Sequence, residues 1–201
     1  MKSVLVVSGG IFHPPLAGRL AMQRSMASLS GYKFRAAGSL EALPENLQQF
    51  SALVLYFHQK TISDAALAAL DGFVAAGGGV LAIHSATASF KQTPHYFKIL
   101  GGRFVGHGPV ETFSVARKSD SPIFDEVEEF KVYDELYLHE VEPDIEVHYT
   151  TNYQDQVVPV VWTHTWGKGK VCYAVPGHTA SSMNNPAMQF ILRKGLQWVS
   201  R

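Results

Sequence analysis

Residues 63–85, SDAALAALDGFVAAGGGVLAIHS, hold one complete helix–turn–strand passage. Ser63 and Asp64 supply the oxygen acceptor and the negative charge that a helix N-terminus favours. Leu67, Leu70, Phe73 and Val74 then fall on one face, which predicts a helix over 64–76. Gly77-Gly78-Gly79 ends it, because glycine takes the left-handed backbone that closes helices. Val80-Leu81-Ala82-Ile83 follows as a short unbroken apolar run, the pattern of a parallel strand buried on both faces.

The same unit repeats upstream. Val4 to Val7 before Ser8-Gly9-Gly10 reads as a buried strand. Residues 17–30, with Leu20, Met22, Met26 and Leu29, read as a helix stopped by Gly31, and Leu53 to Phe57 reads as a second buried strand. Strand, helix, strand, helix, strand predicts right-handed crossovers, hence an α/β fold with a mainly parallel sheet flanked by helices. Downstream, Pro94 to Leu100 is a short helix, and segments near 111–116, 145–151, 158–163 and 170–175 read as strands, several of them antiparallel additions. Residues 184–199 read as a closing helix. No repeat, linker or low-complexity stretch divides the chain, so 1–201 is expected to be one domain.

Composition narrows the partners. The chain has 201 residues, 46% hydrophobic and 17% charged, the latter below the roughly 25% of an average domain. Lys+Arg 17 against Asp+Glu 17 gives 17 − 17 = 0, without the cation surplus that nucleic-acid binding needs. A single cysteine, Cys172, excludes an internal disulfide framework, and its place between Val171 and Tyr173 marks a buried, unreactive thiol. No apolar run approaches the ~18 residues of a membrane span, and Val4 to Val7 is shorter than the ~7 residues of a signal-peptide core. A cytoplasmic location is the expectation. Neither Gly9-Gly10 nor the triplet at 77–79 forms a GxGxxG turn, so no nucleotide cofactor is expected.

Histidine carries the functional signal, with nine in the chain. His13 follows the first strand, His58 the second, His84 the third, and His178 follows 170–175 through Pro176-Gly177. In open α/β sheets ligands bind outside the carboxyl ends of the strands, so these side chains are expected to share a crevice. His107 lies in the glycine-flanked segment 101–107, read as a turn. The segment 132–139, VYDELYLH, alternates when extended, with Val132, Asp134, Leu136 and Leu138 on one face. Tyr133, Glu135, Tyr137 and His139 form the other, a polar wall for a ligand. His84, Glu135 and His178 are therefore the candidate acid–base residues. His13, His58, Ser85, Tyr96, His107, Asp134, Tyr137 and His139 are the candidate substrate contacts. Tyr96, Phe104, Tyr137, Trp162 and Trp166 offer rings to a sugar face. His95, His148 and His164 read as structural.

The segments GGGVLAIHSAT (77–87), YFKILGGRFVGH (96–107), YDELY (133–137) and PVVWTHTWGKGKVCYAVPGHT (159–179), with a helix ending LRKGLQWV, closely resemble the ThuA-like, trehalose-utilisation family. The resemblance runs over roughly 1–199 in consistent order, is specific in the second half and is looser at 31–60. It implies a flavodoxin-like sheet similar to class I glutamine amidotransferases, and a link to sugar metabolism beside dehydrogenases that make 3-keto-glycosides. That fold places a cysteine nucleophile at a strand-to-helix elbow and a His-Pro-Glu segment much later. Here the elbow residue is His84 and the later segment reads Gly177-His178-Thr179-Ala180, so cysteine and carboxylate are both gone. Glutamine hydrolysis by a thiolate is not expected.

The leading reading is an enzyme that moves protons on a sugar or 3-keto-glycoside derivative. Two others fit the same residues: a non-catalytic sugar-binding or regulatory protein, and a hydrolase using Ser85 with His178 as base. A divalent metal (zinc, manganese or nickel) on His84, His107 and His178, with Glu135 or His13 joining, is a further expectation from the donor types, although no HExxH spacing supports it. The partner expected is a small sugar-like molecule, with no nucleic acid and no membrane; self-association is left open.

Overall fold

The computed structural model describes residues 1–9 and 15–200. The apolar runs read above become β1 (Lys2–Gly9), β3 (Ala52–Phe57) and β4 (Gly79–Ile83), the last two buried at every position. Each strand that can bury both faces sits inside the sheet. β2 (Tyr32–Ala37) lies at its edge, alternating between half-buried and exposed positions along most of its length. β5 (Gly102–Arg117), β6 (Glu129–Val141), β7 (Glu146–Tyr153), β8 (Gln156–Trp166) and β9 (Gly169–Ala174) complete one mixed sheet. Its order is β2-β1-β3-β4-β9-β8-β7-β5-β6, parallel from β2 to β9 and antiparallel from there on.

The helices are α1 (Leu16–Ala27), α2 (Asp64–Ala75), α3 (Pro94–Leu100), α4 (Ala180–Asn184) and α5 (Pro186–Val199). The Ser63 hydroxyl accepts from the Ala66 N–H at 3.2 Å and caps α2 as its sequence predicts. α5 packs on β4 and β9, and α1 packs on α4 and α5.

Three expectations are corrected, and one strand was not foreseen. The first helix ends at Ala27, three residues short of the predicted 30. The closing helix starts at Pro186, two residues inside the predicted 184, and an unforeseen short helix, α4, precedes it; between them Asn185 is extended (φ −62°, ψ 126°) and its side chain accepts from the Ala187 N–H at 3.0 Å to start α5. β2 carries no continuous apolar run and escaped the reading, since an edge strand needs none. The segment 101–107 is not a turn: only Gly101 is left-handed (φ +76°), closing α3, and His107 lies inside β5. Gly106, Gly108 and Pro109 fit in that strand because its register against β6 slips between Phe104 and Gly106 and between His107 and Val110.

Candidate active site

β4 and β9 are parallel neighbours and end side by side, which brings the elbow at His84 next to the loop at 176–178. His84 starts a 3-10 turn (His84–Ala86) with φ +44°, a left-handed backbone that a residue with a side chain adopts at a cost on the order of 1–3 kcal/mol. Its Nδ1 lies 2.9 Å from the Val175 carbonyl. A carbonyl only accepts, so Nδ1 carries the hydrogen and Nε2 of the neutral ring is a lone-pair donor. The Tyr137 ring lies against the imidazole with centroids 3.9 Å apart. Gly177 passes so close that a Cβ there would meet His84 Cβ at 2.7 Å.

β6 crosses these strand ends and delivers a carboxylate. Glu135 Oε2 lies 3.3 Å from His178 Nδ1 and 3.9 Å from His84 Nε2, and Oε1 lies 3.2 Å from His107 Nδ1. His107 Nδ1 also meets the Gly108 carbonyl at 2.9 Å, so it too carries a hydrogen. Donor atoms of His84, Glu135 and His178 all fall within 4.8 Å of one another. Burial, with the Glu135 and Asp134 charges adding to it, pushes the Tyr137 phenol well above its ordinary value, so it stays a hydrogen-bond donor at neutral pH.

Asp134 does not face this crevice. It is fully buried on the other side of β6, where Oδ2 accepts from the Gly177 N–H at 2.8 Å and Oδ1 from the His178 N–H at 3.0 Å. Burial raises its pKa, and hydrogen bonds from Ser182 and the backbone N–H groups of Glu135, Gly177 and His178 oppose the rise. From the opposite side the Tyr56 hydroxyl donates to the Gly177 carbonyl. The loop bearing His178 is thus clamped through its own backbone.

The other predicted contacts separate. His139 lies among Phe104, Tyr137, Trp162 and Tyr173, and its Nε2 is 2.9 Å from the Thr87 hydroxyl; burial holds it at about 3, so it is neutral. Tyr96 is a core residue, fully buried, donating to the Ala86 carbonyl at 3.0 Å, and is not on the crevice. Trp162 is likewise buried, donating to the Leu100 carbonyl, and Trp166 pairs with Asp71. Ser85 is buried, and its hydroxyl meets no hydrogen-bond partner among the described residues. His58, at the end of β3, lines a separate cavity of about 320 Å³ with Lys60, Phe90 and Lys91. His13 lies outside the described residues.

His95 pairs with Asp71, His148 with Thr163, and His164 with the Lys98 carbonyl, and none of the three reaches Glu135. Burial pushes the Cys172 thiol up to about 12. The sequence reading missed Thr87, the Val175 carbonyl and Lys91, whose ammonium sits 4.9 Å above the Phe104 ring. The first two had no detectable signal, because a backbone carbonyl and a lone threonine look alike everywhere.

Fold and site together define an α/β protein with imidazoles from strand ends gathered round one carboxylate from an antiparallel strand. The model of the ThuA family, described as trehalose utilisation, matches residues 3–199, and the chain belongs to that family. No curated protein matches the chain. Among solved structures, a putative ThuA-like protein from Parabacteroides merdae superposes with a TM-score of 0.85 at 15% identity, covering 99% of this chain and 90% of that one. A second, from Bacteroides uniformis, gives 0.79 at 16% identity over 98% and 91%. A cytoplasmic protein from Salmonella typhimurium gives 0.78 at 13% identity over the whole of both chains. Likeness at these identities speaks for the fold. Among the described residues no helix is long and apolar enough to cross a membrane.

Proposed function

We propose that the protein is an enzyme of sugar metabolism that transfers protons on a sugar or 3-keto-glycoside derivative, with His84, Glu135 and His178 as the reacting groups. One observation carries this reading: three imidazole nitrogens stand 3.2, 3.3 and 3.9 Å from the Glu135 carboxylate. Isomerisation or elimination beside a carbonyl needs one group to take a proton from carbon and another to give one to oxygen. A carboxylate shared by imidazoles can do both near neutral pH. Tyr137, His107 and the Phe104 ring would form the wall against which the sugar lies, and family membership supplies the sugar context. The strand order β2-β1-β3-β4-β9 and the elbow at His84 support reading the sheet as flavodoxin-like and amidotransferase-derived, with the thiol chemistry lost. A cytoplasmic location belongs to the same proposal. The Ser85 hydrolase reading has no support in the site, where no described residue is placed to take the hydroxyl proton.

The test is a panel of sugars and their 3-keto-glycosides followed by NMR. The chain should turn over at least one, and His84→Ala and Glu135→Gln should each lower kcat by about 10²–10⁴-fold with the circular dichroism spectrum unchanged. Saturable binding without turnover would favour the sugar-binding alternative. Variants that match the parent would place the chemistry elsewhere.

A further inference from the structure

We infer that His84 Nε2, Glu135 Oε2 and His178 Nδ1 are the protein ligands of a divalent transition-metal ion of the zinc class. Donors around a tetrahedral zinc at about 2.0–2.2 Å sit roughly 3.3–3.6 Å apart. Here Oε2 is 3.3 Å from His178 Nδ1 and 3.9 Å from His84 Nε2, and one ligand atom from each of the three residues lies within 4.8 Å of the others, so a side-chain rotation closes the set.

The protonation pattern points the same way. The Val175 carbonyl holds the hydrogen of His84 on Nδ1, which turns the Nε2 lone pair toward a carboxylate oxygen. The surroundings match those of metal-bound side chains, which are oriented by partners of their own. His84 is set by the Val175 carbonyl, and the outer oxygen of Glu135 lies 3.2 Å from His107 Nδ1, while the inner oxygen faces the other two donors. Two imidazoles and one carboxylate suit zinc, manganese or nickel over calcium or magnesium. Three protein ligands leave a fourth position for water or substrate, the arrangement of catalytic and not of structural zinc. His107, which the sequence suggested as a ligand, stands here beside the outer oxygen of Glu135, outside the ligand set.

This inference takes from the proposed function only the location of the site. Loaded with an ion, His84 and Glu135 would hold the metal, the metal would polarise the substrate, and His107 would be left to exchange protons with solvent. Metal content therefore separates the two. Untagged protein is stripped with a chelator and titrated with ZnCl₂ by calorimetry, then with CoCl₂ while the visible d–d absorption is recorded. One ion per chain is expected, with Glu135→Gln and His178→Asn each weakening binding by about 100-fold or more, and His95→Gln leaving it unchanged. No saturable binding, or binding equal in both ligand variants and the parent, overturns the inference. If no ion binds yet Glu135→Gln abolishes turnover, the metal inference falls and the acid–base reading stands. If the variants release the ion and turnover is unaffected, the metal site stands and the acid–base reading falls.

Discussion

In the parallel half of the sheet, His84 and His178 are aimed by backbone at the ends of β4 and β9. In the antiparallel half, Glu135 and His107 are aimed by cross-strand pairing in a bulged ribbon. The first kind of positioning is rigid because it costs strain: a left-handed residue at His84, a glycine at 177 that admits no Cβ, and Asp134 and Tyr56 gripping the loop backbone. The second depends on register. A slip by one residue would turn Glu135 and Tyr137 to the buried side and Asp134 to the crevice. The bulges at Phe104/Gly106 and His107/Val110 set which face meets His84.

The halves share the β9–β8 ladder, and the grip on the 176–178 loop is a second tie between them, whose removal should have the largest effect on stability among the changes considered. In Asp134→Asn an amide N–H replaces one of the acceptor oxygens, so a buried backbone N–H of Gly177 or His178 loses its partner. We expect a loss of about 2 kcal/mol, a fall in melting temperature on the order of 4–8 °C, readable by calorimetry. A melting temperature equal to that of the parent would mean that the Asp134 grip adds nothing to the β9–β8 ladder.

A smaller effect sharpens the contrast from within the antiparallel half. Burial holds His148, packed between Phe124 and Thr163, at about 4 against an ordinary 6.5. Between those values the unfolded chain takes up a proton that the folded chain refuses, so stability falls as pH drops from about 6.5 to about 4. His139, held at about 3, acts in the same direction. Urea midpoints across this range should show a slope in the parent that His148→Gln reduces by on the order of 1 kcal/mol per pH unit. An unaltered slope would show that His148 takes no part.

The two halves were also unequally legible in the sequence. Parallel strands buried on both faces announce themselves as apolar runs, so Leu53 to Phe57 and Val80 to Ile83 stood out, as did the histidines that follow them. The ribbon did not announce itself: Gly106, Gly108 and Pro109 punctuate β5 like a turn, and only a partner strand with slipped register lets them be extended. Alternation in 132–139 placed Tyr133, Glu135, Tyr137 and His139 on one face; Glu135 and Tyr137 meet His84, while His139 is taken into the cluster with Thr87, Trp162 and Tyr173 and Tyr133 stays exposed. Alternation could not reveal that Asp134, grouped with the leucines, is buried for a polar reason, because two of the N–H groups it serves, those of Gly177 and His178, lie more than forty residues away. Tyr96 was read as a ring for a ligand, and its hydroxyl instead answers a carbonyl ten residues back in the core.

The central claim is that one chemical unit is assembled from both halves, His178 from the parallel side and Glu135 from the antiparallel side. The most direct measurement is a double-mutant cycle on kcat/KM with His178→Asn, Glu135→Gln and the pair together. Groups acting as a unit are non-additive, so the double variant should lose no more than the worse single one, and the interaction should exceed about 1 kcal/mol. Losses that simply multiply would show that the two residues act independently, and the shared centre would be contradicted.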